Sequence, residues 1–587
     1  MDQDQMKLVE ELLFAEKRKP GFVKNLYFGD FLNEALFPFP EPLLEEMEAA
    51  EDYLSLLKKT LDTHLNPDQV DRKADIPREL IEELGKIGLL GVSVPKKYGG
   101  LGRSQYTYCK AIEEVASRCS STAIFINAHQ SIGLKAILLF GTEEQKKKWL
   151  PDLASGKKIA AFSLTEPNAG SDASGVETRA EYNPAKKTYT INGKKQWTSN
   201  GSIASVLTVM AKTKVPSKNG EFEDKVTAFI VTPDMPGFHI KDKALEKVGV
   251  RGTKTTNLEF INLEVPEENI LGPLGGGLKV CLTALDYGRT TFGAMCLGAA
   301  KFCMQKAISH AVNRYQFKRP LASFPLVKKK IAEMAALVYA MEASLYLTAG
   351  FIDTGIHDVM LESAILKVFA SESLWQIIYE TMQIYGGRSF FTDQPFERMM
   401  RDARLNMIGE GSNEVLRAFI GAVGLRDVGM EMKDLKDKTL SHPLSAAKDI
   451  FSLGIELVGV SKAPVVEVKN EALQSESNRL AQNLKSFSGA AKKALIYYRE
   501  DIVEKQLVLD RLATCAIALY TASATLSKLD KESLSRKDKS QTVETPDYLA
   551  GKYYLEMANQ KIQESLHGLI TPLDPLLEKV SDELTGI

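Results

Sequence analysis

The chain has 587 residues, with 74 Lys and Arg against 76 Asp and Glu, for a formal net charge of −2. This balance provides no excess of positive charge to attract nucleic acid. A hydrophobic content of 44% with 26% charged residues is typical of a soluble globular protein. The length exceeds what a single core can organise and predicts about three or four domains.

The cysteines and the N-terminus indicate the compartment. Six cysteines lie among apolar neighbours, with no C-x-x-C pair and no histidine cluster at ligand spacing. This pattern predicts buried thiols in a reducing compartment and no metal site. The opening MDQDQMKLVEELLFAEKRKP lacks the features of a secretory signal or an Arg-rich transit peptide. We expect a cytoplasmic protein of bacterial type, and no uninterrupted apolar run approaches the ~18 residues of a membrane span.

The hydrophobic periodicity changes twice along the chain. Segments such as ELIEELGKIGLLG have the helical period, whereas TYTINGKKQWTS alternates with period two, and its Asn192-Gly193 pair predicts a hairpin turn. The fold class is therefore mainly α with a central β-domain. The predicted divisions are an N-terminal extension (1–43), a helical domain (44–157), a β-domain (158–275), a second helical domain (276–425), a charged linker containing KDLKDKTL (426–440) and a C-terminal helical domain (441–587).

One carboxylate is placed unusually in the stretch RDARLNMIGEGSNEVLRAF. Glu410 lies between Gly409 and Gly411, which lack Cβ atoms and allow another molecule to approach the backbone. Ser412 and Asn413 are good N-caps, so a helix is predicted to begin just after Glu410. The alternative is an ordinary loop glutamate attracted by a helix N-terminus.

Two segments of the predicted β-domain could meet a ligand. In AAFSLTEPNAGSDASG, a short strand runs into a loop of Gly, Ser and Asp that exposes N–H groups and hydroxyls. In KKQWTSNG, Trp197 and its hydroxyl neighbours could cover a planar heterocycle, although a polar turn and a core Trp are the simpler alternatives. The Rossmann fingerprint is rejected, because GEGSNE lacks the third glycine and a clear preceding strand.

Taken in order, TEPNAGSD, QWTSNG, NRYQF, QIYGG, RDAR and EGSNE resemble the acyl-CoA dehydrogenase family. The similarity covers about residues 70–425, and the C-terminal block resembles the very-long-chain branch, as do AHQSIG and FPFPEP. The resemblance implies a helical domain, a β-barrel-like domain and a four-helix domain. It also implies FAD bound where these domains meet and across a subunit interface.

The resemblance carries site residues onto this sequence. It implies that Phe162 to Ser171 line the flavin, that Trp197 flanks the ring and that the Ser199 hydroxyl approaches N5. The adenosine half would be held by the neighbouring subunit. The implied cofactor residues are Phe162, Leu164, Thr165, Gly170, Ser171, Trp197, Thr198, Ser199, Arg314, Gln316, Phe317, Gln383, Ile384, Gly386, Gly387, Ser412 and Glu414, and the implied substrate residues are Ser171, Asp286, Arg289 and Gly411.

Glu410 falls on the family's catalytic base. The implied reaction converts a long or very-long-chain fatty acyl-CoA into a trans-2-enoyl-CoA, the first step of β-oxidation. The base removes the α-proton, and the β-hydrogen leaves as hydride to the flavin. Because a thioester α-proton is a very weak acid, its carbonyl oxygen must be polarised. The resemblance supplies the Glu410 backbone N–H and a flavin hydroxyl as donors.

Several positions depart from the family pattern. Gly409 replaces an aromatic residue and so removes a wall of the substrate cavity, Pro325 replaces a glutamine that often touches FAD, and Ser412 replaces threonine. Asn127 and Ala128 are expected near the floor of the cavity.

Other functions on the same fold stay open from the sequence. An acyl-CoA oxidase would use O₂, whereas a dehydrogenase would pass electrons to electron-transfer flavoprotein. A non-enzymatic assembly or scaffold protein is a third alternative, because fold does not determine function. The branch favours a homodimer. Peripheral membrane contact would involve residues 444–462, although an apolar face of this kind is more often a core or dimer interface.

Overall fold

The computed structural model describes residues 21–217, 220–356, 358–441, 454, 462–534 and 544–586. These residues form two compact units. The described part of the first unit comprises residues 42–311 and 374–411, and that of the second comprises residues 21–41, 312–373 and 412–586.

The predicted fold class is confirmed, because helices precede and follow a β-sheet. The helices are α1 (Phe22–Phe28), α2 (Asn33–Leu36), α3 (Leu44–His64), α4 (Pro67–Lys73), α5 (Arg78–Lys86), α6 (Gln105–Ala116), α7 (Ser120–Ile126), α8 (Lys135–Phe140), α9 (Glu143–Ala154), α10 (Gly277–Asn313), α11 (Pro325–Asp353), α12 (Met360–Tyr385), α13 (Phe396–Leu405), α14 (Asn413–Ser441), α15 (Gln474–Tyr498), α16 (Gln506–Leu534), α17 (Pro546–His567) and α18 (Leu573–Thr585). A π-helix, Asn127–Leu134, joins α7 to α8.

The strands are β1 (Ala160–Ser163), β2 (Arg179–Asn183), β3 (Thr188–Thr198), β4 (Val206–Pro216), β5 (Phe222–Val231), β6 (Phe238–Ile240), β7 (Thr256–Pro266), β8 (Ile270–Leu271), β9 (Tyr315–Gln316) and β10 (Arg319–Pro320). The first eight form one sheet in the order β6-β7-β3-β2-β4-β5-β8, with β1 parallel to β4, and β9 pairs with β10.

Both faces of the central strand β4 are covered in the first unit. Leu207 and Val209 of β4 pack into one buried cluster, whereas Val206 and Met210 pack into another that includes residues of α9 and α10. Because neither face of β4 meets water, its sequence VLTVMA is almost continuously apolar instead of alternating.

The predicted hairpin turn at Asn192-Gly193 is wrong. Both residues lie inside β3, where the pairing with β7 shifts register between Ile191 and Gly193. An added Cβ on Gly193 would lie 2.4 Å from the Thr178 hydroxyl oxygen, so this glycine allows close approach of backbone and side chain at a bulge. The actual turn joins β2 to β3, and Asn183 Oδ1 accepts a hydrogen bond there from the Ala185 N–H at 3.1 Å.

Part of the predicted N-terminal extension is integral to the second unit. Phe22, Val23, Leu26 and Tyr27 of α1 are buried, and the Tyr27 hydroxyl donates to the Ile420 carbonyl at 2.9 Å. These contacts stabilise α1 against the helices of its unit.

The linker predicted at 426–440 is helical instead, because α14 continues to Ser441. The stretch has no Pro or Gly between Lys433 and Leu440, and its alternating charges are spaced as on a solvated helix. High charge by itself does not distinguish such a helix from a linker. The segment proposed for membrane contact, 444–462, lies outside the described residues except for Gly454 and Lys462.

Three helical segments within the described ranges are long and apolar enough to cross a membrane by length and composition, although no apolar run is uninterrupted. They are Ser120–Phe140, Pro325–Asp353 and Gln506–Leu534, and 78% of each apolar window is buried inside the protein. Burial in the core accounts for their apolar character.

Candidate active site

The backbone at Glu410 has an unusual conformation. Glu410 has φ 57° and Gly411 has φ 98°, so two successive residues after α13 lie in the left-handed region. A non-glycine residue there is strained by roughly 1–2 kcal/mol, a cost that functional sites often bear. The Arg289 Nε–H donates to the Glu410 carbonyl at 3.3 Å and holds this turn.

The Glu410 side chain lies between two helical elements of the first unit. Asn127 Nδ2 of the π-helix donates to Glu410 Oε1 at 2.5 Å. On α10, Gly288 leaves room for the carboxylate, since an added Cβ would lie 2.6 Å from Oε2. Glycine at position 288 is therefore required by the position of the carboxylate.

The predicted substrate residues on α10 lie next to this carboxylate. Arg289 is buried, and its Nη1 lies 3.3 Å from Asp286 Oδ1, one turn earlier on the helix. The structure thus brings together Glu410, the predicted base, and Asp286 and Arg289, two predicted substrate residues.

A buried ion pair anchors the predicted flavin loop. Lys195 Nζ of β3 lies 2.6 Å from Glu166 Oε1 and also donates to the Leu164 carbonyl at 2.9 Å. The Glu166 carboxylate accepts a further bond from the Thr178 N–H at 3.1 Å. Burial lowers the pKa of Lys195 to about 8. Burial would raise the pKa of Glu166, but attraction to Lys195 and the hydrogen bonds outweigh it and hold that pKa below its usual value.

Hydrogen bonds join the ends of β1 and β3. The Gln196 N–H donates to the Thr165 carbonyl at 2.8 Å, and the hydroxyls of Ser163 and Thr198 are 2.9 Å apart. These bonds place Thr165 beside Trp197, so the two predicted flavin segments come together.

The surface formed by these two segments suits a flat, acceptor-rich group. The Trp197 side chain is 62% exposed and its φ is 56°, so it is not the core residue that a strand Trp often is. Gly170 and Ser171 are exposed, and an added Cβ on Gly170 would meet nothing within 4 Å. A large ring beside exposed backbone and hydroxyls fits the isoalloxazine ring and the pyrophosphate of a flavin dinucleotide.

Four side chains implied to bind the cofactor are wholly or partly buried in the core of the protein. Phe162 and Leu164 pack partly against the core, and Thr198 and Ile384 are buried. By contrast, Gln383, Gly386 and Gly387 are exposed at the end of α12.

Ser199 follows Thr198 in the first unit and is partly buried, whereas five further implied residues belong to the second unit. Arg314, Gln316 and Phe317 are exposed at the β9–β10 hairpin, and Phe317 is 88% exposed with φ 49°. The Ser412 Oγ accepts from the Val415 N–H at 3.4 Å at the start of α14, as predicted for an N-cap, and Glu414 is exposed.

Comparison with known families matches the described architecture domain by domain. Models of the acyl-CoA dehydrogenase N-terminal, middle and C-terminal domains match residues 47–157, 161–263 and 275–425, and the ACAD9/ACADV C-terminal domain matches 471–582. A very long-chain specific acyl-CoA dehydrogenase from Bos taurus is 34% identical over 569 residues, covering 94% of this chain and 85% of the relative. The chain belongs to the acyl-CoA dehydrogenase family.

Solved structures agree with this assignment. An acyl-CoA dehydrogenase complexed with FAD from Bacillus anthracis matches with a TM-score of 0.79 and 30% identity, over 96% of this chain and 94% of that one. A structure of the electron transferring flavoprotein of Acidaminococcus fermentans matches with a TM-score of 0.60 and 33% identity, over 66% and 99%. The protein is an oxidoreductase of the acyl-CoA dehydrogenase family that acts on fatty acyl-CoA.

Sequence reasoning missed two features of this dehydrogenase. The hydrogen bond from Asn127 to the Glu410 carboxylate has no local signal, since 283 positions separate the two residues. Lys195 could have been found, because its neighbours alternate in burial and it occupies an inward position of β3. A lysine there must have an anionic partner.

His129 of the π-helix makes the stability of this dehydrogenase dependent on pH. Its Nδ1 accepts from the Ala160 N–H of β1 at 2.9 Å, and its Nε2 faces the carbonyls of Leu90 and Leu153. Burial lowers the pKa of His129 to about 4. As the pH falls, His129 therefore takes up a proton in the unfolded chain before it does so in the folded protein. The contribution of the buried neutral His129 to the free energy of unfolding is fully present above about pH 6.5 and decreases by up to about 3 kcal/mol as the pH falls to 4.

The urea midpoint of the wild type and of His129→Gln, measured from about pH 7 to 4, tests this dependence. Asp402 has the opposite effect on stability in the wild type. Burial raises the pKa of Asp402 to about 6, so its protonation stabilises the folded protein as the pH falls. Both proteins contain Asp402, so its contribution cancels in the difference between their urea midpoints. The variant should lose less stability in acid, and parallel curves would contradict the assignment to His129.

Proposed function

We propose that this enzyme removes the α-proton and the β-hydrogen of a long or very-long-chain fatty acyl-CoA, giving the trans-2-enoyl-CoA, with Glu410 as the base. The supporting observation is the position of Glu410. A strained backbone presents its carboxylate between Asn127 and Gly288, beside the buried Arg289. An ordinary loop glutamate would extend into water and would not require such strain.

FAD is the cofactor, and when bound it accepts the β-hydrogen with its electron pair. Trp197, Thr165, Ser171 and Ser199 would hold its ring and phosphates, in the surface described above.

The protein's own groups act on the α-carbon. Glu410 takes the α-proton, and its backbone N–H would donate to the thioester oxygen as negative charge develops there. Arg289 holds the carbonyl side of the same turn, at 3.3 Å. The base and the donor are therefore positioned by one short segment.

Two observations support a long acyl chain. The Bos taurus relative is named a very long-chain specific enzyme. An added Cβ on Gly409 would meet only Leu405 atoms, at 3.6 Å or more, so the missing aromatic side chain leaves space beside the base. A fatty acyl chain could use this space.

The electron acceptor in this proposal is electron-transfer flavoprotein, and the active enzyme is a homodimer. The relative from Bos taurus is named a dehydrogenase, which favours a dehydrogenase over an oxidase, and the family resemblance implies electron-transfer flavoprotein as its acceptor. The retention of Glu410, Trp197 and Arg289 favours an enzyme over a scaffold.

The visible spectrum of the purified protein, followed by anaerobic addition of palmitoyl-CoA, tests the proposal. A yellow protein whose flavin absorbance bleaches on addition is the expected result, because only substrate dehydrogenation supplies the electrons. A stable yellow colour with a full series of acyl-CoA chain lengths would contradict dehydrogenation. A colourless protein that cannot be reconstituted with FAD would contradict the cofactor assignment.

A further inference from the structure

A buried chain of polar side chains leads to the Glu410 carboxylate. The Tyr108 hydroxyl of α6 lies 2.8 Å from Ser131 Oγ, and Ser131 Oγ lies 2.9 Å from Thr291 Oγ1 of α10. The Thr291 hydroxyl also contacts Asn127 Oδ1, and Asn127 Nδ2 reaches Glu410 Oε1 at 2.5 Å. Apart from the carboxylate, every member is almost completely buried.

The chemistry of the groups gives this chain a direction. Asn127 must present its NH₂ to an ionised carboxylate, since a carboxylate only accepts. Its Oδ1 then accepts the proton of the Thr291 hydroxyl. The donations from Thr291 to Asn127 and from Asn127 to Glu410 both point toward the negative charge, an arrangement in which successive hydrogen bonds polarise and strengthen one another.

We propose that Asn127 is a positioning residue for the catalytic base, and that Thr291 orients its amide. This inference rests on the proposed role of Glu410. The bond from Asn127 holds the carboxylate in one rotamer on the Gly288 side and favours its ionised form before substrate arrives. Pre-organisation of this kind reduces the reorganisation needed when the α-proton is transferred.

The other titratable groups around Glu410 are not changed by substitution of Asn127. Arg289 of α10 donates to the Glu410 carbonyl, Asp286 contacts Arg289, and Tyr108 of α6 interacts with Glu410 electrostatically. A change in the ionisation of the base after substitution of Asn127 therefore reports on the hydrogen bond itself.

The test measures the single-turnover rate of flavin bleaching by palmitoyl-CoA from about pH 5 to 9 in the FAD-loaded enzyme. In Asn127→Ala, the midpoint of the acid limb should move up by about one pH unit, since the ionised base loses a charge-assisted bond. The plateau rate should fall severalfold because the carboxylate occupies other rotamers. FAD content, read from the visible absorbance, should not change.

Matched variants separate positioning from folding. Thr291→Val conserves shape but removes the hydroxyl, and should shift the midpoint in the same direction by less, whereas Thr291→Ser should keep the wild-type midpoint. The double variant Asn127→Ala with Thr291→Val should equal Asn127→Ala alone, because Thr291 acts through Asn127. Asn269→Ala removes another buried asparagine, which donates to the Ile230 carbonyl at 2.8 Å, and should not move the profile.

An unchanged midpoint in both Asn127→Ala and Thr291→Val, with Glu410→Gln inactive, would overturn the inference and leave the proposed function standing. Full bleaching by Glu410→Gln would overturn the proposed function itself. If Asn127→Ala does not fold, the comparison of Thr291→Val with Thr291→Ser decides the inference.

Discussion

Glu410→Gln is expected to reduce the rate of flavin bleaching by palmitoyl-CoA by up to roughly 10⁴-fold, while FAD stays bound. The amide has nearly the shape of the carboxylate and can still accept a hydrogen bond from Asn127, which lies 2.5 Å from Oε1. It cannot take up a proton at neutral pH, so the α-proton has no acceptor. Stopped-flow absorbance under anaerobic conditions measures the rate, and the spectrum before mixing measures the FAD content.

Two further variants test whether the loss of bleaching rate comes from removing the Glu410 carboxylate. Glu410→Asp keeps the carboxylate but shortens its reach, so its rate should lie between those of the wild type and Glu410→Gln. Asp393→Asn removes an exposed carboxylate from the same part of the chain and should bleach at the wild-type rate. Substantial residual activity of Glu410→Gln would assign the base to another group.

Lys195→Met should destabilise the protein by about 3–5 kcal/mol and reduce its FAD content. The substitution leaves the Glu166 carboxylate buried without the ammonium that lies 2.6 Å from it. An uncompensated buried charge is far more costly than the ion pair is stabilising. The loop that begins at Glu166 also loses its anchor, so Ser171 and its neighbours should no longer be held for the cofactor. Thermal unfolding and the absorbance ratio of flavin to protein measure the two effects.

The matched control is an exposed pair in the same sheet. Lys186 and Glu264 also lie 2.6 Å apart, but their side chains are 58% and 47% exposed. Lys186→Met should therefore change the unfolding temperature little, because water replaces the lost partner. In the double variant Lys195→Met with Glu166→Gln, the buried charge is removed and part of the stability should return. Equal losses for Lys186→Met and Lys195→Met would show that burial of the pair is not the cause.

Part of the candidate site could be predicted because it depends on local rules. The helix after Glu410 was predicted from Ser412 and Asn413, and α14 begins at Asn413. The loop ahead of Ser171 likewise follows from a short segment with turn signals. The exposure of Trp197 did not follow from local signals, because a Trp in a strand is more often a core residue. The hairpin at Asn192-Gly193 failed, because the same dipeptide also suits a bulge where another side chain approaches the backbone.

The sequence by itself determined the order of helical and β-domains and the family, and it pointed to Glu410, because periodicity and short motifs are local properties. Only the tertiary structure decided the surroundings of that carboxylate. Asn127 comes from a π-helix and Gly288 from α10, and they meet Glu410 only after residues far apart in the chain are packed together. A hydrogen bond depends on distances of a few tenths of an ångström, which no pattern of residue types specifies.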